Sequence, residues 1–413
     1  MNNYKIHRKI IIGLSALGPG LFLIGYNIGT GSVTTMAKTG AEHGMSLFWA
    51  LLLSCFFTYI LMVAYGKVTL VTGNTALFNF KKELKWGSVL SMYIILTLII
   101  GELLALMGVM GIVADLVQEG IRIGFNDLFI HRGWIILFFS VILYILILFG
   151  RYSFFEKVLT VLVALMGLSF LVVFIMVKPS LSTLIAGIVP SIPNTPGAFG
   201  LVAAISGTTC SAAVFIIRST IVVEKGWTVN DLKKEKKDSL VSASMMLFLS
   251  GIIMAVSAGT LHLSGLKLEN TVEMIHLFEP IGGKFAAFML IIGIAGAGIS
   301  TIFPIVLIAP WLIADFRGTS RDIRTPQSRL IILFTLLFAF GTVFMEHRPP
   351  ALMIFSQAFQ ACILPAVAIP IFILINKKRL MDTHVAGISE NLSIIAVILF
   401  SFISTWFAIL EFT

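Results

Sequence analysis

Eleven runs of apolar residues fill almost the whole chain, at 10–40, 45–72, 87–117, 133–150, 155–177, 198–223, 239–263, 284–314, 329–345, 350–375 and 391–410. Each is long enough, as a helix, to cross or nearly cross about 30 Å of hydrocarbon. Backbone N–H and C=O groups find no water there, so the segments must satisfy one another internally, and runs of this length do so as helices. The chain is therefore expected to be an all-α integral membrane protein with about eleven transmembrane helices in a single domain, 1–413. Composition agrees: 58% of residues are hydrophobic and 12% charged, against roughly 25% charged in soluble domains. The longest polar insert, KGWTVNDLKKEKKD (225–238), reads as a short amphipathic connector.

The formal net charge of +9 could suggest nucleic acid, but its distribution fits a membrane orientation better. Lys5, Arg8 and Lys9, then Lys81, Lys82 and Lys85, Arg151 and Lys157, Lys233 to Lys237, Arg317 to Arg324, and Lys377 to Arg379 fall on alternate loops. The positive-inside rule puts those loops and the N-terminus in the cytoplasm, and an odd helix count puts the C-terminus outside. The expected setting is multi-pass in the plasma (inner) membrane. The lipid bilayer is the expected partner, nucleic acid is not, and a monomer is expected. Cys55, Cys210 and Cys362 lie far apart in apolar segments, which excludes a disulfide framework or a cysteine metal cluster. No nucleophile–base pair or phosphate loop appears, and the seven histidines fall in loops or at helix ends. An enzyme is excluded, and no cofactor is expected.

Two places interrupt the apolar pattern: GYNIGTGSVTT (25–35) in the first run and GTTCSAA (207–213) in the sixth. Irregular backbone at membrane depth survives where protein buries it or where it lines a cavity. Interrupted helices at matching positions of two halves point to an inverted-repeat transporter, with cargo held by the free backbone groups of the half-helices. The repeats would cover about 10–177 and 198–375, with 391–410 as an extra helix. The alternative is that the small residues only let helices approach closely.

The residues around these breaks resemble the NRAMP family of secondary transporters, which adopt the leucine-transporter fold. GPG (18–20) with GYNIGTGS resembles the family's GPG…DPGN first helix, and KVTLVTGNTAL (67–77) its R-L-G-x-V-T-G segment. FEKVLTVLVALMGLSF (155–170), SAGTLH (257–262) and GIAGAGIST (293–301) are similar to its fifth, seventh and eighth helices. SQAFQACILPAVAIP with NKKRLM (356–381) is similar to the tenth and its exit. The resemblance implies a five-plus-five inverted repeat with helices 1 and 6 broken. It also implies a metal site, and there the sequence departs from the family. The family's metal-binding Asp is Gly29 here, its Pro is Thr30, its Asn is Ser32, the Met of its sixth-helix M-P-H run is Ser211, and the His of that run is Ala213.

With no usual metal ligand at Gly29, Ser32 or Ser211, the candidate substrate site is made of hydroxyls, backbone and helix starts: Gly29, Thr30, Gly31, Ser32, Thr208, Thr209 and Ser211, with Gln357. Helix N-termini carry unpaired N–H donors and about half a positive charge, which suits a small anion; alternatively the hydroxyls only cap the helices. Arg218 lies seven residues past Ser211 on the same helix face, about 10 Å toward the cytoplasm. It could draw an anion, pair with Glu102 in the third helix, or snorkel to the interface near Glu224. Glu102 falls where the resemblance implies a proton-carrying acid, and a second such acid is Ala105 here. Ala297, Ser300 and Thr301 have the spacing of a Na⁺ site in relatives of this fold, completed by backbone at Gly25 and Ile28; alternatively the two hydroxyls bond their own helix. The favoured expectation is a secondary transporter of a small anion, such as bicarbonate or a short carboxylate, with Na⁺ as coupling ion. The alternative is a proton-coupled divalent metal transporter using atypical ligands such as Asn27, Gln357 or Gln360, and a third reading is a non-transporting sensor.

Overall fold

The computed structural model describes residues 29–125, 128–148, 161, 164, 167–168, 170–178, 185–319, 321–344 and 349–412. All the described regular structure is helical: α1 (Thr30–His43), α2 (Phe48–Thr72), α3 (Ala76–Glu83), α4 (Gly87–Gly124), α5 (Arg132–Leu148), α6 (Ala198–Thr209), α7 (Ala212–Glu224), α8 (Leu232–Ser257), α9 (Thr271–Arg317), α10 (Pro326–Phe338), α11 (Pro349–Ala361), α12 (Leu364–Ile375) and α13 (Ile388–Phe412), with a single α-helical turn at Lys378–Met381 and short 3₁₀ and π turns between them. Eight helical spans among the described residues are long and apolar enough to cross a membrane, α5 being a shorter apolar helix beside them. The first and fifth apolar runs are described only from Gly29 and over part of 161–178, so Gly25, Asn27 and Ile28 lie outside the described residues.

The expected break in the sixth run is present. α6 stops at Thr209, Ser211 takes an extended conformation (φ −68°, ψ 133°), and α7 starts at Ala212. The carbonyl of Thr209, freed by the break, accepts a hydrogen bond from Thr58 of α2 at 2.9 Å. Buried polar backbone is thus satisfied by a neighbouring helix, as it must be at this depth. α1 begins at Thr30 behind an extended Gly29, and the part of the second expected interruption that precedes Gly29 lies outside the described residues. A third break, not foreseen, splits the 350–375 run: α11 ends at Ala361 and α12 restarts at Leu364 with a proline in its first turn. Pro365 lacks an N–H and its ring crowds the preceding turn, so it is tolerated at a helix start and ends whatever helix precedes it.

The connector at 225–238 is shorter than its polarity suggests. Thr228 and Asp231 form a reciprocal capping box, and from Leu232 the chain is already in α8. Two of its acids, Glu235 and Asp238, are buried rather than solvated. α8 and α2 pack along each other, and α4 packs against both α9 and α11. These contacts enclose the starts of α1 and α7 at the centre of the bundle.

Candidate functional site

A small cavity, about 30 Å³, lies where the three breaks meet. The start of α1 gives it Gly29, Gly31 and Ser32, and the broken sixth helix gives Thr208 and Ser211. α4 contributes Glu102 and Ala105, α9 Thr301 and Ile305, and α11 Met353, Gln357 and Gln360. Space of this size holds a water or two, or a single ion.

Hydrogen bonds link the walls. Ser211 Oγ donates to Gln360 Oε1 at 2.7 Å, and Gln360 Nε2 donates to Glu102 Oε1 at 3.2 Å. A continuous relay therefore runs from the sixth-helix break, through α11, to the carboxyl of α4. Thr208 Oγ1 donates to Ser32 Oγ at 3.3 Å, tying the two broken helices together. Glu102 is 4% exposed, and among the described lining residues it is the one ionisable side chain. Two helix starts, at Thr30 and Ala212, end at the cavity.

Gly29 leaves no room for a side chain at its position. A Cβ built on Gly29 would overlap the Thr301 side chain. Thr301 occupies the volume that a first-helix aspartate would need. A Cβ on Gly31 would meet only the ends of Gln357 and Met353.

Several expected site residues fall elsewhere. Thr30 and Thr209 are buried beside the cavity without lining it, and Thr209 Oγ1 donates to Ile205 O at 2.6 Å within its own helix. Ser300 and Thr301 both donate to the carbonyl of Ala297, at 2.8 and 2.7 Å. Both hydroxyls thus bond their own helix, and Thr301 also lines the cavity.

Arg218 corrects the sequence reading most. It is fully buried and faces neither the cavity, Glu102 nor the interface. Its Nε and one terminal nitrogen bind both oxygens of Glu235 at 3.0 and 2.7 Å, and the other terminal nitrogen binds Asp238 at 2.5 Å. Ser239 adds a hydroxyl at 3.3 Å. The reason is the short connector: with α8 beginning at Leu232, the side chains of its first two turns come within reach of Arg218 on α7. Glu224, the expected snorkelling partner, instead pairs with Arg321 at 2.9 Å. Gly66 of α2 makes room, since a Cβ there would overlap the carboxyl of Glu235.

Sequence reasoning missed Met353. Met353, Gln357 and Gln360 stand at i, i+4 and i+7, one face of α11, and that face was legible once a break after Ala361 was recognised. The loss of the usual metal ligands at Gly29, Ser32 and Ser211 therefore concerns the two broken helices alone. A carboxylate and a thioether reach the same cavity from α4 and α11.

The chain matches the Natural resistance-associated macrophage protein-like family over residues 20–411. It is 22% identical over 385 residues to the divalent metal cation transporter MntH of Pectobacterium carotovorum, covering 91% of this chain and 89% of that protein. To the MntH of Ralstonia nicotianae it is 25% identical over 409 residues, covering 94% and 88%. Its fold is that of the Eremococcus coleocola manganese transporter, with a TM-score of 0.73 at 17% identity over 97% of this chain and 87% of that one. MhsT in complex with L-phenylalanine gives a TM-score of 0.66 at 14% identity, over 96% and 98%. The architecture is thus the leucine-transporter type with helices 1 and 6 broken, and this multi-pass membrane chain, a transporter rather than an enzyme, belongs to the natural resistance-associated macrophage protein-like family.

Proposed function

We propose that the protein moves a divalent metal cation, held in the central cavity by a donor set unlike the usual one. The observation that carries this reading is the buried carboxyl of Glu102 on the same ion-sized cavity as Met353, Gln357 and Gln360. A carboxylate supplies charge and hard oxygen, amide and hydroxyl oxygens complete a shell, and a thioether favours the softer transition metals. The relatives named as divalent metal cation transporters support the same cargo class. We read the coupling ion as a proton carried by Glu102, the one ionisable side chain among the described residues that line the cavity.

The anion reading keeps one support, the two helix starts at the cavity. Against it, Arg218 is committed to Glu235 and Asp238, and Glu102 would repel an anion. The orientation with a cytoplasmic N-terminus is part of the same proposal and rests on the lysine and arginine distribution.

Uptake into proteoliposomes tests the cargo. Mn²⁺ or Cd²⁺ flux is expected to be saturable, to acidify the lumen and to be independent of Na⁺. Glu102→Gln should reduce it on the order of tenfold or more, the usual cost of disturbing a metal ligand shell. Met353→Leu should weaken Cd²⁺ more than Mg²⁺. Saturable bicarbonate flux that survives Glu102→Gln, with no metal flux, would reject the proposal.

A further inference from the structure

Away from the central cavity, three neighbouring hollows that share lining residues follow one another along α2 and α8. The first, about 230 Å³, is lined by Lys67, Lys236, Ser389, Glu390 and Tyr59, with Ile60, Val63 and Ile394 as apolar walls. Tyr59 also borders the second, about 470 Å³, which is otherwise nearly all apolar, with Phe56, Leu240 and Leu247. Leu247 and Ser244 continue into the third, about 320 Å³, closed by Phe48 and Gly251. Along α8 the crevice therefore reads Lys236, Leu240, Ser244, Leu247, Gly251, and along α2 it reads Lys67, Val63, Tyr59, Phe56, Leu52. Both helices present a cation at one end and a mostly apolar strip beyond it, interrupted by Ser244 on α8 and Tyr59 on α2.

The geometry points to a binding site for one anionic phospholipid, its phosphodiester between Lys67 and Lys236 and an acyl chain lying in the crevice toward Phe48. Lys67 is 6% exposed and held at 2.7 Å by Glu390, which uses one of its three donors. Two lysines against one glutamate leave the pocket a net charge of +1. The start of α13, at Ile388, adds its partial positive charge beside Ser389. The other acids near this end of α8, Glu235 and Asp238, face inward and are held by Arg218. A free phosphate would use the lysines but leave the apolar walls and the crevice unexplained. A neutral lipid would use the crevice but have no need of two cations. Basic pockets between transmembrane helices, opening onto a hydrocarbon-facing groove, have the chemistry of an anionic headgroup site. Tyr59, at the junction, has the amphipathic character favoured at that depth.

Native mass spectrometry of the delipidated full-length protein, titrated with phosphatidylglycerol or phosphatidylcholine, tests this. The parent should retain phosphatidylglycerol preferentially. Lys236→Gln, a change at an exposed position, should reduce that preference roughly fivefold, the worth of one lysine near a charged headgroup, and Lys236→Arg should restore it. Ser244→Trp, which fills the crevice, should lower retention of both lipids together while thermal melting shows the variant folded. Equal retention of the two lipids by the parent, or an unchanged preference in Lys236→Gln, would overturn the site. Displacement of phosphatidylglycerol by millimolar glycerol 3-phosphate, with Ser244→Trp without effect, would identify a soluble phosphate site and overturn the lipid assignment.

Discussion

Arg218 has both faces of its guanidinium group buried and all three nitrogens engaged by carboxylates of α8. Removing one partner of such a cluster leaves buried charge uncompensated, at a cost on the order of 3–5 kcal/mol. Arg218→Ala should therefore lower the melting temperature in detergent sharply, and Arg218→Lys should recover part of it, since charge remains while the bidentate fork is lost. The fraction that folds should bind metal like the parent, because the cluster lies outside the cavity. A loss of affinity without loss of stability would place Arg218 at the cargo site after all. At this scale the sequence was informative about residue type and silent about direction. Arg218 stood out because arginine is rare inside a membrane helix, but its partners lay in a stretch that looked like a solvated loop. Met353 carried the opposite ambiguity: methionine in an apolar run looks the same whether it packs or lines a cavity.

The breaks in the helices divide glycines into two kinds. A Cβ on Gly207 would run into the backbone carbonyl of Gln357, where α6 and α11 lie in close contact. Backbone cannot step aside, so Gly207→Ala should destabilise by about 1–3 kcal/mol, the usual penalty of overpacking, read as a drop in melting temperature. Gly31 faces only movable side-chain ends, those of Gln357 and Met353. Gly31→Ala should therefore melt near the parent but bind Mn²⁺ more weakly in calorimetry, because the added methyl displaces two cavity-lining groups. The reverse pattern would show that Gly31 serves packing and Gly207 the site. Both of these breaks were legible because glycine, threonine and serine cluster there against an apolar background. The third was not, because its only signal is Pro365, and proline within a membrane helix is common enough to signal a mere kink.

Across the whole molecule, the all-helical membrane fold and the leucine-transporter architecture were legible from apolar run length and from two interruptions at matching positions. The way distant ends of the chain are joined was not. Glu83, at the end of α3, is 7% exposed and binds Lys377 at 2.6 Å and Arg379 at 3.1 Å, side chains almost three hundred residues away. Lys377 also donates to the backbone carbonyl of Glu83 at 2.8 Å. These loops were read only as a charge pattern, since pairing between them depends on how the helices return to one end of the bundle. The hydrogen bond from Lys377 holds the Glu83 carboxyl below the usual carboxylate range, opposed in part by burial and helped by Arg379. A carboxyl whose folded pKa is depressed contributes stability above its unfolded pKa, and that contribution is lost as pH falls through the folded one. The melting temperature should therefore hold no Glu83-dependent change near neutrality and should fall as pH drops below about 4.3, the ordinary glutamate value. Glu83→Gln should melt lower than the parent at pH 7, and the difference should shrink in acid as the parent's carboxyl protonates. If the two proteins keep a constant difference in melting temperature from pH 7 down to pH 3, the Glu83–Lys377 tie contributes through shape and hydrogen bonding alone, and its charge plays no part in holding the two ends together.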